Sequence, residues 1–135
     1  MSKITDNFFE SEFKCRCCGK LKLDLQLVYT LEVLRRVLNS PISITSSYRC
    51  KDHNKAVGGV TNSQHRLGVA ADIQVSGKSP LEVYEAAIKL FHGVGLYDTF
   101  VHVDLRGSEV HWGSKHYLPS GPTDKQINDK LKELE

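Results

Sequence analysis

The chain has 135 residues, 40% of them hydrophobic and 25% charged, and its formal net charge at pH 7 is +2. This size and apolar content suffice for one domain with its own core, and the near balance of charge gives no basis for nucleic-acid binding. No apolar run approaches the roughly 20 residues of a membrane helix, and the N-terminus lacks the apolar stretch of a signal peptide. We therefore expect a single monomeric domain, residues 1–135, that has no membrane segment and is synthesised in a cytoplasm.

The first half of the chain predicts two helices and one strand. Apolar residues recur with helical spacing over residues 24–38, and the Asn-Ser-Pro segment 39–41 ends that run. Residues 42–46 alternate apolar and polar side chains, which predicts a short strand that ends shortly before Arg49. Residues 51–57 suffice for one or two helical turns and precede two glycines.

The second half predicts a small sheet and two more helices. Residues 69–75 predict a buried strand, and Ser79-Pro80 begins a helix that continues to residue 91. Residues 94–97 and 100–105 predict a hairpin, with a further short strand at 109–112 and a charged terminal helix at 123–135. Long helices flanking a small, mostly antiparallel sheet make an α+β fold, with its core at about residues 8–118.

The sequence alone does not pair the four cysteines. They are Cys15, Cys17, Cys18 and Cys50. Structural zinc sites usually use two separated Cys/His pairs, and the nearest further donor is His53, three residues after Cys50. Reduced, partly buried thiols are therefore the expected state, with a structural zinc site as the alternative.

The segment 63–72, Ser-Gln-His-Arg-Leu-Gly-Val-Ala-Ala-Asp, is the strongest chemical signal in the chain. Asp72 lies within an apolar predicted strand, where an unpaired carboxylate is costly to bury, so a cation is expected beside it. Imidazole and carboxylate are both good zinc ligands, which makes His65 and Asp72 a candidate pair. The alternative is that His65 caps a loop while Asp72 pairs with an arginine.

A catalytic zinc takes three protein ligands and keeps a fourth position for water. His102 is the candidate third ligand because it lies in another predicted strand, flanked by apolar residues. The alternative for His102 is a core histidine with its hydrogen bonds satisfied.

The segment 63–72 matches the S-x-H-x-x-G-x-A-x-D motif, and the chain thereby resembles the zinc D-Ala-D-Ala carboxypeptidases and their phage-lysin endopeptidase relatives. These enzymes share a fold with the Hedgehog signalling domain. The resemblance extends to residues 46–49, Asn54, residues 57–59 and the strand 100–104, and it covers the chain up to about Trp112. It implies that one catalytic zinc is bound by His65, Asp72 and His102, and that Arg49 helps to bind substrate.

The general base is not assigned by the resemblance, because Thr99 stands where several relatives have a glutamate. Asp104, Asp98 and His111 are the candidates, in that order. Asp104 has an equally weighted alternative role, which is to orient a ligand imidazole.

Two further residues are predicted to contact substrate. A guanidinium can bind a carboxylate through two parallel hydrogen bonds, which suits Arg49. Ser63 lies two residues before the first ligand and could hydrogen-bond substrate or a ligand.

The resemblance implies that a zinc-activated water hydrolyses peptide bonds in peptidoglycan stem peptides, as a D,D-carboxypeptidase or an endopeptidase. With no signal peptide, we expect a phage lysin or a virion-associated enzyme that acts at the cell wall. One alternative is an inactive zinc-containing module that binds cell wall or protein, and another is a zinc-free structural protein of a virion.

Overall fold

The computed structural model describes residues 3–58 and 63–113, and the predicted terminal helix at 123–135 lies outside these residues. Within the described ranges the elements, in chain order, are β1 (Lys3–Thr5), β2 (Phe8–Phe9), a first 3-10 helix (Glu10–Glu12), α1 (Leu25–Leu38), β3 (Ile42–Ser46), α2 (Lys51–Ala56), a second 3-10 helix (Gln64–Leu67), β4 (Ala70–Val75), α3 (Pro80–Ala87), β5 (Gly93–Leu96), β6 (Val101–Asp104) and β7 (Val110–Gly113). No helix in this part of the chain is long and apolar enough to cross a membrane.

The main sheet has five strands in the order β3-β4-β6-β5-β7. Its neighbouring strands pair antiparallel except for β5 and β7, which are parallel. A small antiparallel pair, β1 and β2, forms a second sheet that the sequence did not predict. The predicted α+β fold with a mostly antiparallel sheet is confirmed, and the short predicted strand at 109–112 corresponds to β7.

The long helices begin and end at residues suited to these positions. Asp24 accepts a hydrogen bond from the Gln26 amide at 2.9 Å and caps the start of α1. Asn39 adopts the left-handed conformation with φ 49° and ends that helix. Ser79 and Glu82 form a capping box at the start of α3. Local sequence signals therefore determine where both helices begin.

The two faces of the main sheet have different roles because successive side chains on a strand point to opposite sides. One face carries buried apolar residues, among them Ala71, Val94 and Val103, and these join the apolar faces of α1 and α3 in one core. On the other face, the strand register places Asp72 beside His102, and His102 beside Gly95. The helices thus cover the apolar face, and the polar row lies on the face opposite the core.

Candidate active site

Three predicted metal ligands meet on the face opposite the core. His65 Nε2 lies 3.1 Å from Asp72 Oδ1, and His102 Nδ1 lies 2.9 Å from the same oxygen. Each residue offers one ligand atom within 4.8 Å of the other two, and all three residues are buried. In a tetrahedral zinc site with bonds of about 2.0–2.2 Å, such ligand atoms lie roughly 3.3 Å apart. The spacing of the three atoms therefore suits a small cation.

The outer nitrogen of His65 is held by the backbone. Its Nδ1 lies 2.7 Å from the carbonyl oxygen of Ser47, and because a carbonyl only accepts, Nδ1 carries the proton. The lone pair of neutral His65 is then on Nε2, which faces Asp72. Two lone-pair atoms face each other in this arrangement unless a proton or a cation lies between them. This donor set fits a metal ion.

The loop around His65 depends on a glycine. Gly68 ends the second 3-10 helix with φ +75°, a conformation that favours glycine. A Cβ at this position would lie 2.4 Å from the carbonyl oxygen of Lys22, and the Gly68 carbonyl accepts from the Asp24 amide. Ser63 caps the start of the same helix, where its Oγ accepts from the His65 amide at 3.2 Å. These contacts set the position of His65 relative to β4.

The outer nitrogen of His102 is held by a buried carboxylate. His102 Nε2 donates to Asp104 Oδ2 at 2.6 Å, and Arg106 donates to both oxygens of Asp104. Burial disfavours the charged form of His102, but the hydrogen bond that it donates to Asp104 and its contact with Asp72 raise its pKa overall. For Asp104, burial opposes ionisation, yet the hydrogen bonds from His102 and Arg106 hold its pKa well below the usual range. Asp104 therefore stays ionised and fixes the imidazole so that Nδ1 faces Asp72.

Asp72 also pairs with Arg49, which follows the end of β3. Arg49 Nη2 donates to Asp72 Oδ2 at 3.0 Å, and Arg49 Nε donates to the Ser46 hydroxyl at 3.1 Å. Burial raises the pKa of Asp72, but its side-chain contacts with the His102 and His65 imidazoles outweigh burial and hold the pKa well below the usual range. The two oxygens of Asp72 are thus divided, with Oδ1 toward the imidazoles and Oδ2 toward Arg49.

A cavity of about 580 Å³ opens beside this cluster. One wall is aromatic: the rings of Tyr97 and Phe100 stack at 4.6 Å, and Trp112 Nε1 donates to the Tyr97 hydroxyl at 3.0 Å. The cavity-lining residues are Arg49, Val57, Gly58, Ser63, Gln64, His65, Asp72, Tyr97, Phe100, His102, Arg106 and Trp112. Both predicted substrate-binding residues, Arg49 and Ser63, line this cavity.

Gly95 makes room for the aromatic wall. The register across β6, β5 and β7 places His102, Gly95 and Trp112 in one row. A Cβ at Gly95 would lie 2.4 Å from the Trp112 indole, so the absence of a side chain lets the indole lie over the strand. The indole ring centre is then 5.5 Å from that of His102, and the Arg106 guanidinium lies 5.1 Å from the same indole. The tryptophan thus connects the candidate metal ligands to the cavity wall.

The three predicted general bases are placed differently from the metal ligands. Asp104 is fully buried behind the His102 ring, which matches the orienting role and removes its carboxylate from the cavity. His111 pairs in register with Val94, so it lies on the core face of the sheet, opposite His102. Asp98 lies in the exposed turn between β5 and β6. Among the residues the structure describes, none of the three lines the cavity.

Sequence reasoning missed four residues that shape the cavity, which are Tyr97, Phe100, Arg106 and Trp112. Tyr97 and Phe100 flank the predicted hairpin turn, and this symmetric placement of two aromatic residues was a signal for the stacked pair. Trp112 and Arg106 had no comparable signal, because their places depend on the parallel pairing of β5 with β7 and on the position of Asp104.

Comparison with protein families agrees with this geometry. The Peptidase M15 family model matches residues 6–104, which include every candidate metal ligand and Arg49. The chain belongs to the peptidase M15 family. The zinc D-Ala-D-Ala carboxypeptidase family that the motif predicted is thereby confirmed.

Members of this family are zinc-dependent peptidases, and the chain has a cluster of His65, Asp72 and His102 that can bind a metal. The match ends at residue 104, so β7 and the Trp112 wall lie beyond it. Comparison with curated protein sequences found no match.

Proposed function

We propose that this M15 peptidase hydrolyses peptide bonds in the stem peptides of bacterial peptidoglycan. The observation that carries the proposal is the convergence of His65 Nε2, Asp72 Oδ1 and His102 Nδ1 at one edge of an open cavity. A buried site closed on all sides would favour a structural metal, whereas this cluster borders space for a substrate.

His65, Asp72 and His102 would hold the zinc. When bound, zinc lowers the pKa of a coordinated water toward neutrality and polarises a carbonyl group. The protein's own contribution is to orient the ligands. The Ser47 carbonyl fixes the tautomer of His65, and Asp104 does so for His102.

Arg49 is suited to hold a substrate carboxylate. The guanidinium carries five N–H donors, of which Nη2 and Nε are directed at Asp72 and Ser46. Further donors therefore remain at the cavity that Arg49 lines. A peptide carboxylate bound there would lie next to the metal ligands, which supports carboxypeptidase action or cleavage near a free carboxyl group. Ser63 lines the same cavity and would contribute a hydroxyl to the bound peptide.

We assign the general base to Asp98 rather than to Asp104 or His111. Asp98 is solvent-accessible and lies in the turn whose neighbours Tyr97 and Phe100 line the cavity. Asp104 is buried behind the His102 ring, and His111 lies on the core face of the sheet. A general base has to reach water in the open site, which burial of Asp104 prevents.

A binding module without activity is the second candidate. It is favoured by one observation, which is that no predicted base lines the cavity among the residues described. In that case the zinc cluster would maintain the cleft while Arg49 and the aromatic wall bind a peptide. The protein would then retain cell-wall peptides without cutting them.

The experiment is an assay on defined muropeptides, with the new termini identified by mass spectrometry. We expect release of terminal D-Ala, or a single internal cut, by the zinc-loaded protein and none after chelation. Binding of the same muropeptides without any new terminus would replace the peptidase with the binding module. Absence of both binding and cleavage would contradict a peptidoglycan substrate.

Expression inside bacteria, with and without membrane permeabilisation, tests the proposed role as a phage lysin or virion-associated enzyme acting at the cell wall.

A further inference from the structure

A second cluster of metal-ligating side chains lies where the segment after the first 3-10 helix meets the start of α2. Cys15, Cys18 and Cys50 place their sulfur atoms within 4.8 Å of one another. In a tetrahedral site with Zn–S bonds of about 2.3 Å, the sulfurs lie roughly 3.8 Å apart. The cysteines are free thiols. The three sulfurs are therefore placed much as they are in a thiolate metal site.

The first two cysteines come from a tight turn of the backbone. Cys15 and Cys18 have the C-x₂-C spacing found in zinc-binding turns. The Cys15 amide donates to the Lys20 carbonyl at 2.8 Å, and the Gly19 amide donates back to the Cys15 carbonyl at 2.9 Å. Gly19 has φ +72°, which this turn requires. The turn brings both sulfurs within 4.8 Å of each other.

The third cysteine comes from the start of α2 and is directed at the turn by backbone hydrogen bonds. The Cys50 amide donates to Cys15 Sγ at 3.4 Å, and the His53 amide donates to Cys50 Sγ at 3.4 Å. Backbone N–H groups that point at sulfur stabilise the thiolate, which is the form that binds metal. The cluster thus has both the spacing and the donors of a thiolate site.

We propose that Cys15, Cys18 and Cys50 bind a second, structural cation of the zinc type, separate from the cleft. The site would join the N-terminal turn to the loop that carries Arg49. The N-terminal segment already contacts this loop and the strand before it, since the Tyr48 amide donates to the Phe13 carbonyl at 3.2 Å and Arg16 donates to the Ile44 carbonyl of β3 at 3.0 Å. A metal there would cross-link segments that are already in contact and would stabilise the folded state.

A closed structural site needs a fourth donor, and two donors are close in the chain. Cys17 precedes Cys18 in the same turn and is exposed. His53 follows Cys50 at C-x₂-H spacing. Loss of the second metal from Cys17→Ser or from His53→Ala identifies the fourth ligand and supports the closed site. Full retention in both variants would contradict a closed structural site.

The test measures metal content in protein purified with a reducing agent and without added metal. We expect about two zinc ions in the wild-type chain and about one in Cys18→Ser, Cys50→Ser and His102→Ala. Cys18→Ser is the decisive cysteine variant, because Cys18 is exposed and its replacement leaves the core intact. His102→Ala is the matched control, since it removes a ligand of the cleft and leaves the cysteines unchanged.

Replacement of zinc by Co(II) shows which site each ion occupies. Thiolate-to-cobalt charge-transfer absorption in the near ultraviolet should remain in His102→Ala and disappear in Cys18→Ser and Cys50→Ser. One zinc per wild-type chain without any thiolate absorption would overturn the proposal. A disulfide between two of these cysteines in the reduced preparation would overturn it as well. An inactive cleft with the thiolate absorption retained would leave the second site established on its own.

Discussion

The cleft cluster of His65, Asp72 and His102 and the cysteine cluster of Cys15, Cys18 and Cys50 both bring three ligand atoms within 4.8 Å, but different parts of the fold hold them. Two of the cleft ligands lie on the paired central strands β4 and β6. The cysteines lie on a turn and at a helix start. In the cleft, the Ser47 carbonyl fixes His65 and side-chain partners fix the other two ligands, whereas backbone N–H groups direct the sulfurs.

This difference indicates what each cation contributes. The cleft ligands are positioned by the sheet and by partners such as Asp104 and Arg49. A cation there would supply chemistry beside an open cavity. The cysteine cluster connects two segments outside the sheet, and a cation there would supply stability. Variants that separate activity from stability test this division.

The largest effect is expected from the cleft ligands themselves. His65→Ala, Asp72→Ala and His102→Ala should each lose one zinc and all measurable hydrolysis, because three protein ligands are the minimum for a catalytic zinc. Cys18→Ser should instead keep hydrolysis and lower the unfolding temperature. Zinc analysis, the muropeptide assay and thermal unfolding measure the three properties. If the His102→Ala variant still hydrolyses the muropeptides, His102 is not a ligand of the catalytic zinc.

The next largest effect should identify the general base. Asp98→Asn should keep zinc and fold yet lower kcat by about 10²–10⁴, the usual contribution of positioned proton transfer. Glu85→Gln, an exposed carboxylate on α3, is the matched control and should leave kcat unchanged. His111→Ala and Asp104→Asn are compared in the same assay. If either lowers kcat more than Asp98→Asn at normal zinc content, the base is that residue instead.

A smaller loss of kcat/KM is expected when lysine replaces Arg49, which keeps the positive charge but not the planar guanidinium. Arg49→Lys should retain zinc but lower kcat/KM on the order of 10²-fold, which corresponds to roughly 3 kcal/mol. The planar fork that grips a carboxylate is lost in lysine. Arg36→Lys on the exposed face of α1 is the control. A near-normal kcat/KM for Arg49→Lys would leave Arg49 as a partner of Asp72 only.

The smallest effect concerns metal affinity rather than chemistry. Asp104→Asn keeps an acceptor for His102 but removes the charge that fixes the imidazole, so zinc affinity should fall by about 10- to 100-fold. Competition with a chelator measures this affinity, and added zinc should restore hydrolysis. If excess zinc does not restore the rate of hydrolysis, Asp104 acts in the reaction itself and not only through zinc affinity.

Much of the local structure was predictable because it is determined by neighbouring residues. The helix at residues 24–38 appears as Leu25–Leu38 with Asp24 as its cap, and the strand at 42–46 appears unchanged. The hairpin strands are one residue displaced or slightly shorter in the structure. The β1–β2 pair was not predicted, since each strand is very short and its pairing has no periodic signal.

The sequence by itself determined the family, the fold class and the candidate ligands, because the motif 63–72 requires a particular turn and places a carboxylate inside an apolar strand. Only the tertiary structure placed Asp104 behind the His102 ring and brought Cys15, Cys18 and Cys50 together. Asp104 is directed at the back of His102 because both lie on the same face of β6 and Arg106 folds over them. The cysteine cluster depends on a contact between segments far apart in the chain, and no local pattern encodes such a contact.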